Sequence, residues 1–308
     1  MTRYDLLIVG GGPAGLSAAL YAGRARLRTV LLEKAFCGGQ ARYTDQIENY
    51  PGFPHGITGP QLMDQMESQA RQFGVEIQLG EAQGLRREGK TYVVDTSMGS
   101  LKAPAVIIAS GARPNQLGIP GEREFLGRGV SYCATCDGAF FRDKDVAVIG
   151  GGDSAVKEAL FLTRFARKVY LIHRRDRLRA TEILQERVLD HPQIEILWNK
   201  VPLRVTGDQL VHGLLLGDPT GGSQEELKIQ GLFIYIGNTP DTDWLGGQVQ
   251  LDEEGYVITD GHLATDQRGV FAAGDVRTTP LRQVVTAVGD GAVAAVEAEK
   301  YLVELGEK

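Results

Sequence analysis

Two cysteines lie two residues apart in the segment CATCDG, at Cys133 and Cys136, and the chain has one further cysteine, Cys37. A zinc site would need two more ligands, usually a second CxxC or paired histidines, and the five histidines lack that spacing. A structural cross-link over so short a loop gains little stability. The spacing therefore favours a redox dithiol and no metal site. Asp137 follows directly, and its carboxyl group is placed to move protons between thiol and thiolate.

The segments 4–34 and 144–174 share one pattern, at a constant offset and without a gap. Each has a short apolar run, a glycine turn, a helical pattern and a second apolar run. Self-similarity of this kind indicates that one supersecondary unit, here βαβ, is used twice. A lone GxGxxG is weak evidence, but the strand, turn, helix and strand occur here in order in both copies.

The glycine turn of each copy matches a dinucleotide-binding unit. In the first copy Gly10 allows the tight turn, Gly12 lets a pyrophosphate approach the backbone, and Gly15 lets the helix pack on the strand. The helix N-terminus offers free N–H groups to the phosphates. Glu33 ends the second strand, where a carboxylate binds ribose hydroxyls. The corresponding turn residues of the second copy are Gly150, Gly152 and Ala155.

The two copies differ where the ribose contact is expected. The offset places His173 opposite Glu33, followed by Arg174 and Arg175, with Arg179 close behind. A carboxylate suits a free 2′-hydroxyl, whereas arginine guanidinium groups match phosphate oxygens. The first site is therefore predicted to bind FAD or NAD and the second NADP(H). Two nucleotide sites in one chain indicate hydride transfer between a bound flavin and a diffusible nicotinamide.

Further apolar runs end in small or acidic residues. They lie in 106–114, where the run ends at Ser110-Gly111, in 234–242, and in 270–276, where the run ends in Gly274-Asp275. Asp275 is placed to bond a ribityl hydroxyl. A long helix is predicted from about Arg282, with its N-terminal amides toward the flavin.

The order of these segments predicts an α/β fold of two Rossmann-like dinucleotide-binding domains, with the NADPH domain inserted into the FAD domain. The FAD domain is assigned to 1–115 plus 244–308, and the NADPH domain, carrying the CxxC pair, to 118–241.

Composition excludes some partners and compartments. The formal net charge of −6 predicts no nucleic acid partner. No apolar run approaches the roughly 20 residues that span a bilayer, so no membrane association is predicted. The N-terminus lacks the pattern of a signal peptide, and we expect a cytoplasmic protein.

The combination GGGPAG, ENYPGFP, CATCDG, GGGDSA, HRRDRLRA and FAAGDV resembles the low-molecular-weight thioredoxin reductases, in order and over essentially the whole chain. The resemblance implies bound FAD, NADPH as donor, a homodimer, and a thioredoxin or thioredoxin-like protein as partner. It also implies that Cys136 lies next to the flavin, that Cys133 attacks the partner's disulfide, and that Asp137 is the acid–base residue. A rotation of the inserted domain would let one flavin meet both the nicotinamide and the dithiol.

Motif matches and the βαβ pattern together define the expected cofactor-binding residues. For FAD they are Gly10, Gly12, Pro13, Ala14, Gly15, Glu33, Lys34, Gly39, Gln40, Asn49, Gly111, Gly274, Asp275, Arg282, Gln283 and Val284. For NADPH they are Gly150, Gly152, Asp153, Ser154, Ala155, His173, Arg174, Arg175, Arg179 and Gly237. Cys37 departs from the family pattern, and we expect a free thiol near the adenine end of FAD.

Two alternatives stay open. One is a disulfide reductase of the same fold that takes electrons from ferredoxin or a second flavin. The intact GGGDSA and HRRDRLRA segments argue against it. The other is a non-catalytic, flavin-binding redox sensor, and the CATCD sequence argues against that.

Overall fold

The computed structural model describes residues 4–44 and 47–306. The predicted domain ranges begin at residue 1 and end at residue 308, so their first three and last two residues lie outside the described part of the chain. The α-helices are α1 (Pro13–Arg24), α2 (Gly59–Gln72), α3 (Ala134–Asp137), α4 (Asp153–Leu162), α5 (Glu182–Leu189) and α6 (Val284–Leu305). Short 3₁₀ segments cover Gly39–Tyr43, Gly138–Phe141, Asp243–Leu245 and Gly274–Val276.

The strands follow one another along the chain, within the described residues, in three groups. The first group is β1 (Leu6–Val9), β2 (Thr29–Glu33), β3 (Glu76–Leu79), β4 (Ala82–Glu88), β5 (Thr91–Thr96), β6 (Gly99–Ala103), β7 (Ala105–Ile108) and β8 (Ala112–Pro114). The second is β9 (Val130–Ser131), β10 (Asp145–Gly150), β11 (Lys168–His173), β12 (Ile194–Trp198), β13 (Val201–Gly207), β14 (Val211–Gly217), β15 (Glu225–Lys228) and β16 (Gly231–Tyr235). The third is β17 (Asn238–Pro240) and β18 (Val270–Ala272).

The chain divides into two compact units. One comprises the described residues up to Arg113 and from Thr239 onward, and the other is Pro114–Asn238, inserted between these two parts. The chain crosses between the units within β8 and again within β17, and these two strands pair as a ribbon. The predicted fold class is thus confirmed, whereas the assignment of FAD and NADPH to the predicted ranges stays a prediction.

Each unit repeats the same layers among its described residues. The first has a parallel sheet in the order β18-β7-β1-β2-β3, and the second a parallel sheet in the order β12-β11-β10-β16-β9. Each also has an antiparallel three-stranded sheet, β4-β5-β6 or β13-β14-β15. The duplication therefore extends beyond the βαβ segments in which the sequence shows it.

Strands β1 and β2 are apolar throughout because both of their faces are covered. Leu6, Ile8 and Leu31 belong to the core shared with α1, α2 and α6. Leu7 and Val9 point to the other core, which includes side chains of the β4-β5-β6 sheet. Such double burial is typical of parallel sheets and explains continuous rather than alternating apolar runs.

Helices α1 and α6 lie unusually close because small residues line their contact. A Cβ on Gly291 of α6 would be 2.1 Å from the carbonyl oxygen of Ala14 and 2.9 Å from the amide nitrogen of Ala18, both on α1. The hydroxyl of Ser17 also donates to the carbonyl of Val288 at 2.7 Å. Close approach of α6 thus supports the first turn of α1, where the dinucleotide is expected.

Some predicted boundaries differ from the structure. Helix α6 begins at Val284, two residues later than predicted, because Gln283 caps it in a reciprocal pair of hydrogen bonds with Thr286. Among the described residues, no helix is both long and apolar enough to cross a membrane.

Candidate active site

The two cysteines of the CATC segment form a disulfide. The Cα atoms of Cys133 and Cys136 are 5.3 Å apart. Cys133 precedes the single-turn helix α3, and its carbonyl accepts the N–H groups of Cys136 at 3.3 Å and Asp137 at 3.1 Å. These hydrogen bonds hold the pair on a tight turn. Both cysteines are half-buried, so solvent can reach them.

A buried serine connects the first cysteine to the predicted acid–base residue. Ser131 ends β9 and is 3% exposed. Its hydroxyl accepts the N–H of Cys133 at 3.0 Å and donates to Oδ2 of Asp137 at 2.5 Å. The carbonyl oxygen of Cys133 is a second acceptor for the same hydroxyl, at 3.3 Å. The sequence reasoning missed this residue, which precedes the CATC segment and lies six positions from Asp137.

A tyrosine from the parallel sheet supports the same turn. The hydroxyl of Tyr235, on β16, accepts the N–H of Ala134 at 2.5 Å. Burial raises the pKa of Tyr235, and nearby carboxylates at Glu158 and Asp137 add to that effect. Burial also raises the pKa of Glu158 on α4, whose Oε2 finds no hydrogen-bond partner among the described residues. Tyr235 is therefore neutral and serves as an acceptor for the start of α3.

The first glycine turn has the shape of a ligand cradle. Gly10 has φ of +108°, and a Cβ on Gly15 would lie 1.8 Å from the carbonyl oxygen of Gly10. Packing within the protein therefore demands glycine at 15. At Gly12, by contrast, the nearest described atom to an added Cβ is the Cα of Gly39, 3.9 Å away. The open space at Gly12, at the start of α1 with Pro13 and Ala14, fits the approach of a dinucleotide phosphate.

Glu33 lies beside this turn and is already engaged with it. Its Oε2 accepts the N–H of Gly11 at 2.7 Å, and its Oε1 accepts the N–H of Ala35 at 3.1 Å. Cys37 is a free thiol buried at the same place, with Sγ 3.0 Å from a Cβ built on Gly11. Burial, aided by Glu67 and Glu33, raises the pKa of Cys37 to about 12. The thiol is therefore protonated and unsuited to exchange.

Other residues predicted for FAD gather in the same unit. The side-chain amide of Asn49 donates to Oε1 of Gln283 at 2.9 Å, which joins two distant motifs. Lys34 forms an exposed ion pair with Asp241 at 3.1 Å, and Gly111 accepts the N–H of Asp241 at 2.9 Å. The remaining loop residues, Gly39 and Gln40, begin the 3₁₀ segment Gly39–Tyr43.

Asp275 lies in the 3₁₀ segment Gly274–Val276, and burial raises the pKa of its carboxyl group to about 6. Arg282 partly opposes that effect. The guanidinium of Arg282 lies 4.1 Å from the ring centroid of Tyr256, and its buried Nε has no partner among the described residues. The half-buried carboxyl group of Asp275 and the unpartnered Nε of Arg282 fit a polar ligand.

An ion pair behind Asp275 holds its turn. Oδ2 of Asp290, on α6, accepts the N–H of Gly274 at 3.0 Å and the Nε of Arg277 at 2.8 Å. Both side chains of this pair are largely buried. No short-range pattern in the sequence signals it, because the partners lie thirteen residues apart on a turn and a helix.

The second glycine turn repeats the first. Gly150 has φ of +154°, and a Cβ on it would lie 2.4 Å from the carbonyl oxygen of Tyr235, whereas none of the described atoms lies within 4 Å of a Cβ on Gly152. Asp153 begins α4, followed by Ser154 and Ala155, and its Oδ1 accepts the N–H of Thr181 at 2.8 Å. The open space at Gly152 again fits the approach of a phosphate.

His173 is buried, whereas the arginines that follow it are exposed. The Nδ1 of His173 is 2.9 Å from the carbonyl of Gly150, and the ring is 5% exposed. Burial lowers its pKa, so the imidazole is neutral and supports the turn from beneath. Arg174, Arg175 and Arg179 are exposed. Gly237, with φ of +103°, follows β16, and its carbonyl accepts the N–H of Asn115 at 2.9 Å.

The predicted residues divide into two sets, one in each unit. The FAD set lies in the first unit, and the NADPH set lies with the cysteine pair in the second.

Comparisons with known proteins agree with this geometry. A family model described as pyridine nucleotide-disulphide oxidoreductase matches residues 4–291. The thioredoxin reductase of Peptoclostridium acidaminophilum is 46% identical over 97% of both chains. The bifunctional thioredoxin reductase/thioredoxin of Mycobacterium leprae is 46% identical over 98% of this chain and 67% of its own length. The crystal structure of thioredoxin reductase from Streptococcus pyogenes superposes with a TM-score of 0.94 at 45% identity, covering 98% of this chain and 99% of that one.

Proposed function

We propose that this chain, which belongs to the pyridine nucleotide-disulphide oxidoreductase family, is an NADPH-dependent thioredoxin reductase. The single observation that carries the proposal is the half-buried Cys133–Cys136 disulfide, next to an aspartate and in the same unit as a nucleotide-binding turn. Full-length similarity to thioredoxin reductases supports the choice of partner.

FAD is the cofactor that the first unit fits. When bound, it would take a hydride from NADPH and supply two electrons to the Cys133–Cys136 disulfide. The open turn at Gly12 would receive the pyrophosphate, and Glu33 would accept from ribose hydroxyls. Asp275, held by the Asp290–Arg277 pair, would bond the ribityl chain, and the N-terminus of α6 at Val284 would face the flavin carbonyls.

The exposed arginines of the second unit select NADPH. Arg174, Arg175 and Arg179 can surround a 2′-phosphate, while the open space at Gly152 leaves room for the pyrophosphate at the start of α4. The neutral imidazole of His173 supports the turn and adds no charge.

The reduced cysteine pair then reduces the partner. The thiolate of Cys133 attacks the partner's disulfide, forming a mixed disulfide and releasing one partner thiolate, which takes a proton. Cys136 next attacks the sulfur of Cys133, which restores the protein's own disulfide and releases the second partner thiol. Asp137 moves the protons between these sulfur atoms, so two electrons and two protons leave with the partner.

Because the cysteines and the NADPH set share one unit and FAD belongs to the other, we propose that the inserted unit rotates during turnover. The paired strands β8 and β17 would act as the hinge, since the chain crosses there twice. A crosslink between the units that left turnover intact would defeat this idea. We further propose a homodimer in the cytoplasm.

The test is anaerobic reduction of the purified protein by NADPH and, separately, by NADH, followed through the visible absorbance of the flavin. Rapid bleaching by NADPH alone is expected. Cys136→Ser should still bleach but lose disulfide reductase activity with thioredoxin as substrate. Bleaching by neither nucleotide would refute the donor and direct attention to ferredoxin or a second flavin. Bleaching without any thioredoxin reduction by the unaltered protein would instead favour a redox sensor.

A further inference from the structure

We propose that Ser131 is a positioning residue that holds the carboxyl group of Asp137 for proton transfer to and from the cysteine pair. The inference deepens the proposed function and rests on it. It starts from a buried hydroxyl that contacts both the turn of Cys133 and the side chain of Asp137.

The hydrogen-bonding capacity of serine matches what the site offers in both protonation states. A hydroxyl has one donor and two acceptor positions. With Asp137 ionised, the hydroxyl donates to Oδ2 at 2.5 Å and accepts the N–H of Cys133 at 3.0 Å. With Asp137 protonated, the hydroxyl can turn its hydrogen to the carbonyl of Cys133, 3.3 Å away, and accept from the carboxylic acid. Ser131 can therefore follow the proton without leaving a buried group unpaired.

The position of Ser131 is itself fixed by the sheet. β9 pairs in parallel with β16, where Ser131 lies opposite Phe233. Tyr235, two residues further along β16, holds the N–H of Ala134. The turn that carries the cysteines is thus held by two hydroxyls from neighbouring strands, and one of them contacts Asp137.

Other groups near Asp137 define what a pH experiment has to control. The two cysteines lie on its own turn, and the carboxyl groups of Asp137 and of Glu158 on α4 help to raise the pKa of Tyr235, which stays neutral. Tyr235→Phe removes a hydroxyl from the same turn while leaving the Ser131 contact in place. It is therefore the matched control for a general loosening of the turn.

A hydrogen bond from a neutral hydroxyl stabilises the ionised carboxylate, so its removal makes Asp137 take up a proton at higher pH. We expect Ser131→Ala to move the acidic midpoint of thioredoxin reduction upward by about one to two pH units, since hydrogen bonds to charged groups have this magnitude. Ser131→Thr, which keeps a hydroxyl, should restore the unaltered profile. Tyr235→Phe should not shift the midpoint.

The experiment compares pH profiles of the holoenzymes, with thermal unfolding and flavin content confirming that each variant is folded. In the Asp137→Asn background, Ser131→Ala should add no further loss, because it acts through the carboxylate. An unchanged midpoint in Ser131→Ala, or an equal shift in Tyr235→Phe, would overturn the proposal.

A second readout separates this inference from the proposed function. Iodoacetamide alkylation of the cysteines in the dithiothreitol-reduced protein, measured against pH, needs no thioredoxin and no NADPH. If the unaltered protein failed to reduce thioredoxin, the proposed function would fall, yet a shifted alkylation profile in Ser131→Ala would still support the role of Ser131. An unshifted alkylation profile in Ser131→Ala would refute that role whatever the partner.

Discussion

Two glycines of helix α6 allow the contact between α6 and α1 to be tested directly. Gly291 faces α1, where an added Cβ would lie 2.1 Å from the carbonyl oxygen of Ala14, whereas no described atom lies within 4 Å of a Cβ at Gly289. Ordinary van der Waals contact begins at 3.4 Å. Gly291→Ala therefore forces the helices apart by about 1 Å, or distorts one of them, whereas Gly289→Ala meets open space.

The expected magnitude follows from comparing the two variants. Replacing glycine by alanine inside a helix gains about 0.5–1 kcal/mol of unfolding free energy. Both variants have this gain, so it cancels in the difference between them. What remains is the overpacking cost at Gly291, which typically amounts to about 1–3 kcal/mol. We expect Gly289→Ala to be slightly more stable than the unaltered protein and Gly291→Ala less stable than Gly289→Ala by that amount.

The assay is thermal unfolding of the flavin-free protein by circular dichroism, together with the flavin content of the protein as purified. The flavin content matters because Ala14 lies in the first turn of α1, beside the expected pyrophosphate site. Gly291→Ala should therefore lose flavin as well as stability, and Gly289→Ala should retain both. Equal stability of the two variants would refute the described approach of α6 to α1.

Three further predictions concern the ligand sites. In steady-state assays, joint replacement of Arg174 and Arg175 by glutamine should raise the KM for NADPH about 100-fold or more and leave the KM for NADH nearly unchanged. The control Arg187→Gln, on the exposed side of α5, should alter neither KM. Asp290→Asn should weaken flavin binding about tenfold or more, measured by fluorescence on dilution, because it removes the negatively charged carboxylate that compensates the largely buried guanidinium of Arg277 and that accepts the N–H of Gly274. Burial raises the pKa of Asp275 to about 6, so its contribution to the stability of the folded protein is complete below about pH 4 and is lost as the pH rises through 6. The Tm of the flavin-free protein should therefore fall over that range relative to the Tm of Asp275→Asn. Parallel curves of Tm against pH for the two proteins would contradict this.

Local patterns were enough to predict the two βαβ units. The short apolar run expected before the first glycine turn is the strand Leu6–Val9, because the buried parallel strand is apolar throughout and the glycine turn fixes its end. Helix α6 starts at Val284, two residues after the approximate predicted start at Arg282, since a cap formed by Gln283 and Thr286 has no strong signature. The antiparallel sheet of each unit has mixed burial and was not predicted at all.

Contacts across turns could not be predicted in the same way. The bond from Ser131 to Asp137 and the pair of Arg277 with Asp290 depend on how a short strand or 3₁₀ segment directs side chains. Periodicity carries information about buried faces, whereas these contacts depend on single torsion angles at element ends. The residues that hold the predicted chemical groups therefore became visible only in three dimensions.

The two glycine turns are supported by different side chains, which fits the proposal that they bind different ligands. In the first, Oε2 of Glu33 accepts the N–H of Gly11, so a carboxylate supports the turn, and a carboxylate at this position is expected to repel a 2′-phosphate. In the second, His173 contacts the carbonyl of Gly150, and its lowered pKa keeps that support neutral. Replacing the carboxylate of Glu33 by a neutral imidazole, as in the second turn, would remove a negative charge but would add no cation to bind a 2′-phosphate. Under the proposed function, recognition of a 2′-phosphate is assigned to the exposed Arg174, Arg175 and Arg179, and support of the turn is assigned to His173.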